Sequence, residues 1–201
     1  ITAVNITIKA GGLINASGKG FSGGDFNQPG YGPGGGSRVT NQQDGGGGGA
    51  YGGRGGDGQD STTGTAYLGP GAGGNTSGNI TAPLRLGSGG SGSSSVSSGV
   101  LGGAGGGAIF INVTDTLIVN GSIAAVGEGG LDSGEGGSGG GSGGSIYITA
   151  SAFDGNGRIN ASGGQGGNGT DTVAGAGGGG GGGRIAVYYT TKTYNGIIIA
   201  S

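Results

Sequence analysis

"GAGGGGGGGRIAVYY" (175–189) joins two kinds of chain without a transition. Seven consecutive glycines, Gly177 to Gly183, run directly into an alternating apolar segment from Ile185 to Tyr189. Glycine loses more conformational freedom on ordering than any other residue, so a block of it against a strand needs a reason. The missing side chain is itself the expected feature: a surface on which neighbouring backbones can lie almost in contact.

The rest of the composition supports a thin, extended core. Gly supplies 65 of 201 residues and the hydrophobic types only 30%, which is too little to fill a thick globular interior. Collagen is excluded, because Pro totals four and no Gly-X-Y period runs unbroken. A net charge of −2 with 9% charged residues offers no basic surface to nucleic acid or anionic lipid. His and Cys are absent, so the usual zinc sites and the Ser-His and Cys-His nucleophile systems cannot be built. No apolar run is long enough for a membrane-spanning helix. The first residues, "ITAVNITIKA", lack an initiator Met and read as a mature or excised segment.

Working outward from 175–189, four segments align: "VNITIKAGGLINASG" (4–18), "AIFINVTDTLIVNGSIAAVG" (108–127), "SIYITASAFDGNGRINASG" (145–163) and "RIAVYYTTKTYNGIIIAS" (184–201). Each carries a first strand, a turn, a glycine, and a second strand of the form x-Ile-x-Ala. The last three anchoring glycines, Gly121, Gly157 and Gly196, are spaced by 36 and 39 residues, and Gly12 precedes them by 109, close to three such periods. That spacing predicts a repetitive architecture within a single domain of 1–201. Clear copies fall at 1–18, 100–144, 145–183 and 184–201, with a degenerate middle at 19–99 where a copy is expected around "TAPLRLGSGG" (81–90).

Period-two alternation assigns faces. Val4, Ile6 and Ile8, Ile109, Ile111 and Val113, Ile146 and Ile148, and Ile185, Val187 and Tyr189 are expected to point inward. In the second strands the inward pairs are Ile14 and Ala16, Ile123 and Ala125, Ile159 and Ala161, and Ile198 and Ala200. The predicted fold is mainly β: layered, solenoid-like strand repeats with glycine-rich arms, the alternative being a β-sandwich with long glycine-rich loops.

The arms have a phase. "GGRGGDG" (52–58) places Arg54 and Asp57 three apart, and "GGQGGNG" (163–169) does the same with Gln165 and Asn168. Three residues per turn is the period of the polyproline II helix, and a Gly-Gly-X arm then has two bare edges for close backbone approach. The Ser-rich run "GSGGSGSSSVSSG" (87–99) reads instead as slack. The pattern "GGGSGGSIYITA…GRINASGGQGG…GGGGGGGRIAVYY" resembles glycine-rich repeats of large secreted or surface proteins of protists and bacteria, over 100–201 and in part over 1–18. The arms are similar in kind to polyglycine II bundles known from antifreeze proteins and phage tail-tip adhesins. The resemblance implies an extracellular scaffold or binding surface and transfers no catalytic residue.

The strongest chemical signal is N-x-S/T. Eight of twelve asparagines begin one, namely Asn5, Asn15, Asn75, Asn79, Asn112, Asn120, Asn160 and Asn168, where chance alone gives about two. Such acceptors belong on the exposed surface of secreted chains, and on a strand the Asn and its hydroxyl partner share a face. The acidic groups Glu128, Asp132 and Glu135, and Asp57 and Asp60, carry oxygens suited to calcium, but the strict calcium-binding nonapeptide is missing, so no metal or cofactor is assigned. Phe21, Phe26, Tyr31, Tyr51 and Tyr67 interrupt the arms as anchoring plugs or as platforms for sugar rings. At the two ends, Ile1 and Val4, and Ile197 and Ile199, present apolar strand edges that suit pairing with another chain. These features predict a non-enzymatic extracellular or cell-surface protein: a glycosylated structural subunit assembling head to tail into a filament, or alternatively an adhesin or a carbohydrate- or ice-binding module.

Overall fold

The computed structural model describes residues 1–39, 43–61, 69–93 and 99–201. Among the described residues ten strands form two sheets, every ladder parallel. The six-stranded sheet contains β1 (Thr2–Ala3), β2 (Ile6–Ile8), β4 (Ala108–Val113), β5 (Thr116–Val119), β7 (Ser145–Asp154) and β9 (Arg184–Lys192). The four-stranded sheet contains β3 (Leu13–Asn15), β6 (Ser122–Ala124), β8 (Arg158–Asn160) and β10 (Ile197–Ile199), in the order β10-β8-β6-β3.

Register explains why the ladders are parallel. Ile109 pairs with Ile146, which pairs with Ile185; Ile111 pairs with Ile148, then Val187. In the second sheet Ile14, Ile123, Ile159 and Ile198 make one column. Like residues therefore stack on like, and the inward rows of both sheets merge into one buried cluster that includes Ile111, Leu117, Val119, Ile123, Ile146, Ile148, Phe153 and Ile159. The column ends are the exception to the expected inward set. Val4 is 63% exposed in the bend between β1 and β2, Tyr189 48% and Ile198 45% exposed on strands with no further neighbour among the described residues, and Ala200, just past β10, is open as well.

The expected architecture is corrected on two counts. A sandwich built from hairpins needs antiparallel pairs, and the two strands of each segment instead enter different sheets. A solenoid-like coil needs short returns between near-identical layers. Here the returns are arms longer than the strands they join, and β7 is one continuous ten-residue strand that pairs with both β4 and β5. Near its middle, Ser151 N and Ala152 N both donate to Asp115 O at 3.0 Å. Between the pairs Asn112–Thr149 and Thr116–Ala152 three residues of the β4–β5 side face two of β7, a β-bulge whose extra residue is on the β4–β5 side; across it the inward position of β7 passes from Ala150 to Phe153, in a sheet curled into a half-barrel. The result is a parallel-strand fold like the sheets of α/β proteins, without a helix among the described residues. Nor is there a strand among the described residues of 19–99: in the copy expected at 81–90, buried Pro83 removes the N–H a ladder would use.

Parallel strands need a crossover of a dozen or more residues, usually a helix. Glycine arms supply it here. Successive N–H groups of one arm turn to three different neighbours in rotation. Gly45 and Gly48 donate to Gln59 and Gly56; Gly46 and Gly49 to Gly137 and Gly140; Gly47 and Ala50 to Ser37 and Gly34. In the next arm, Gly139 and Ser142 bond Ser91 and Ser88, Gly140 and Gly143 bond Gly178 and Gly181, and Gly141 and Gly144 bond Glu128 and Ala125. The run Gly177–Gly183 follows the same rule: Gly178 and Gly181 donate to Gly46 and Gly49, while Gly177, Gly180 and Gly183 donate to Gly167, Gly164 and Ala161.

Glycine is required in these arms for space rather than for conformation. Positive φ occurs at only six described glycines, such as Gly155 at the turn after β7, whose N–H is held by Asp154 Oδ1. Elsewhere a Cβ would run into a neighbouring carbonyl: Gly139 against Gly47 O, Gly47 against Ala72 O, Gly180 against Gly141 O. Where the lattice leaves room, serine enters and its hydroxyl joins the bonding. Gly34 N donates to Ser88 Oγ at 3.0 Å and Ser88 N to Ser142 Oγ at 2.8 Å. The Ser-rich run is thus not slack over 87–93, where Ser88, Ser91 and Ser93 are fully buried; 94–98 lies outside the described residues.

Two outcomes follow. Gly139→Ala is expected to destabilise by about 1–3 kcal/mol, whereas Gly179→Ala, whose Cβ meets nothing nearer than 3.6 Å, should be neutral or stabilising by about 0.4–1 kcal/mol; thermal unfolding of the pair compares them. Tyr194 stacks on Phe153 with centroids 4.4 Å apart and donates to Gly157 O at 2.8 Å, and burial raises its phenol above the ordinary value of 10.0. Because the folded value is the higher one, its contribution to stability is complete below pH 10 and is lost as pH rises through the raised value. Denaturant titrations across that range should show alkaline destabilisation, reduced in Tyr194→Phe.

Candidate functional site

The outward side chains of β4, β7 and β9 form rows across the strands. Register places Phe110 beside Tyr147, Asn112 beside Thr149 and Tyr188, and Val113 near Ala150 and Tyr189. One step further along, Thr114, Ser151 and Thr190 complete the set. An open depression of about 420 Å³ lies over this region, with Asn112, Thr114, Thr149, Ser151, Tyr188 and Thr190 among its lining. Its floor is ladder backbone, since Val113 and Ala150 turn their side chains into the core.

Side-chain contacts set the rows. Thr149 Oγ1 donates to Asn112 Oδ1 at 2.7 Å, and Ser151 Oγ to Thr114 O at 2.8 Å. The Phe110 and Tyr147 rings stack at 5.4 Å with 13° between planes, and Tyr188 tilts against Tyr147 at 5.7 Å. A strap from the middle of the chain borders the face: Tyr188 OH donates to Thr81 O at 2.7 Å, and the Arg184 guanidinium donates twice to Ser77 O. The same guanidinium lies 5.6 Å from the Tyr51 ring centroid, and Tyr51 OH meets Ser145 Oγ at 2.8 Å. Tyr51 is fully buried as a plug, whereas Phe26 and Tyr31 are about half exposed; Tyr67 lies outside the described residues.

The eight N-x-S/T asparagines are dispersed over the surface. Asn5, Asn15, Asn75, Asn79, Asn120 and Asn168 are exposed, while Asn112 and Asn160 are half-buried. In most of them the carbonyl end is the one engaged. Asn5 Oδ1 accepts from Thr116 N at 3.0 Å, filling the gap between β1 and β2; Asn15 and Asn160 accept from the backbone of Ser17 and Ser162; Asn79 accepts from both the N–H and the hydroxyl of Thr81. At Asn168 the amide nitrogen is engaged, donating to Asp132 Oδ1 at 3.2 Å.

The acidic residues do not converge: among the described residues no group of three His, Cys, Asp or Glu side chains is placed to hold a metal. Asp57 is occupied otherwise. Gly73 N donates to it at 2.7 Å and Arg54 pairs with it at 2.7 Å, and these bonds, the backbone one first, lower its carboxyl below the ordinary value.

The edge candidates lie on the outermost strands. Ile197 pairs with Arg158 and Ile199 with Asn160, and the far side of β10 has no partner among the described residues. Ile197 is 56% exposed, Leu13 on β3 at the opposite edge 58%, and Ile1 and Val4 are open as well. The row of Phe110, Tyr147, Thr149 and Tyr188 escaped the sequence reading, which followed the inward residues. The signal was present in the outward positions of the same aligned segments. No helix among the described residues is long and apolar enough to cross a membrane. Compared with family models, curated proteins and solved structures, the chain matches none.

Proposed function

We propose that the protein is an extracellular structural subunit that joins its copies head to tail through the open edges of its two sheets, and that it carries sugars on exposed asparagines. The observation behind this reading is continuity of register. Leu13, Ser122, Arg158 and Ile197 occupy one ladder position, so a second copy would set its Leu13 against Ile197. In the other sheet Thr2, Asn112, Thr149 and Tyr188 share a position, as do Ile6, Leu117, Phe153 and Lys192. The incoming β1 and β2 would thus meet Tyr188 and Lys192 without a shift in either sheet. Such a contact is heterologous and does not close, which makes a filament, and unpaired apolar edges favour it. The absence of His and Cys supports a structural rather than a catalytic role.

Electron microscopy at micromolar concentration should show filaments. Ile197→Lys alone and Leu13→Glu alone should each give dispersed particles, while an equimolar mixture regains assembly because every contact is then either the native pair or Lys against Glu. Dispersed parent protein overturns the proposal, including the case in which adjoining strands of a longer chain fill these edges. For the sugars, mapping of native material by peptide mass should find additions at exposed positions such as Asn15, Asn75 and Asn79. An intact mass at the bare 18.3 kDa removes them.

A further inference from the structure

The depression over β4, β7 and β9 has the chemistry of a ligand site, and it is present in a single copy whether or not copies assemble. Two outward rows bound it, Asn112–Thr149–Tyr188 and Thr114–Ser151–Thr190. Residues two apart on a strand are about 6.5 Å apart, and neighbouring strands about 4.8 Å. The side chains of the two rows therefore stand next to one another and make a shallow, open trough floor running across the strands, on which one linear chain can lie. Beside the first row lies an apolar border, the exposed Phe110 ring stacked on Tyr147.

Three properties select the occupant. None of the nine lining residues is charged, so an anionic or cationic polymer finds no partner. The lining offers hydroxyls and a carboxamide with capacity to spare: Thr149 uses Asn112 Oδ1, but Thr114 Oγ1, Thr190 Oγ1 and the Asn112 amide nitrogen have no partner among the described residues. Finally, the floor cannot add a peptide strand, because the backbone of β7 is paired on both sides, with β4 and β5 and with β9. What remains is recognition by side-chain hydroxyls, an amide and aromatic rings. Hydroxyl edges with apolar C–H faces match that set.

We infer that this trough binds a linear, uncharged polysaccharide segment, which lies along the two hydroxyl rows with its apolar face toward Tyr188 and Tyr147. This inference does not rest on filament assembly, since a dispersed monomer keeps the trough.

The test uses the full chain made in a bacterial host, so that no sugar is attached at Asn112. Cellohexaose, xylohexaose, laminarihexaose and chitohexaose are titrated by calorimetry, with hexagalacturonate as the charged comparison. At least one neutral hexaose should bind saturably with a millimolar or tighter Kd, and the charged one should not. Thr190→Val, which keeps shape and backbone and breaks no side-chain bond, should weaken binding about fivefold, the equivalent of one hydrogen bond. Tyr188→Ala should weaken it at least as much, and its fold is checked by thermal unfolding because it also releases Thr81 O. Tyr31→Ala, on a distant arm, should bind as the parent does. The inference is overturned if no neutral hexaose binds at about 10 mM, if hexagalacturonate binds equally well, or if both trough variants keep parent affinity.

Discussion

Each arm of this protein touches its neighbours through the place where a side chain would have been. A carbonyl of Gly47 occupies the position a Cβ on Gly139 would need, and a carbonyl of Gly141 does the same opposite Gly180. The N–H groups then reach three neighbours in turn, so buried backbone is satisfied without helix or sheet. Ordering glycine is costly in entropy. What offsets it is the density of these bonds, each contributing about 0.5–1.5 kcal/mol net, together with close contact along every arm.

That lattice makes the sheets possible. Parallel ladders stack like on like, and the columns of Ile and Val make an efficient thin core, but every step from one strand to its neighbour demands a long return. Helices would cover the sheet faces. The arms instead gather at one end of the strands, tied to the sheet by Tyr51 against Ser145 and Arg184. The outer face beyond that tie is left open, which is why Phe110, Thr149 and Tyr188 are accessible there. Structural economy and an available surface have the same origin.

The bulge at Asp115, opposite Ser151 and Ala152, is a local decision with a wide effect. It allows β7 to serve two shorter strands, moves the inward side chain from Ala150 to Phe153, and seats that ring against Tyr194. It also sets the second outward row, since Ser151 turns out beside Thr114 just before the parity changes.

Alternation in residues 109–113 and 146–148 was enough to identify their inward faces, and the alignment of the four segments was enough to place Ile197 beside Arg158. Both follow from local side-chain chemistry: an isoleucine every second residue has one face to bury, whatever lies next to it. The need for close backbone approach was equally plain in Gly177–Gly183. Pairing direction was not, because parallel and antiparallel ladders show the same period of two, and neither was the bulge, which depends on a carbonyl of Asp115 thirty-six residues away from Ser151. The open trough was also beyond reach, since its rows exist only once three strands lie in register. Sequence alone determined which segments have an apolar face to bury and which must be bare; tertiary structure decided which strands meet and so which of those faces are covered, because register and crossover are set by contacts between segments that no local pattern records.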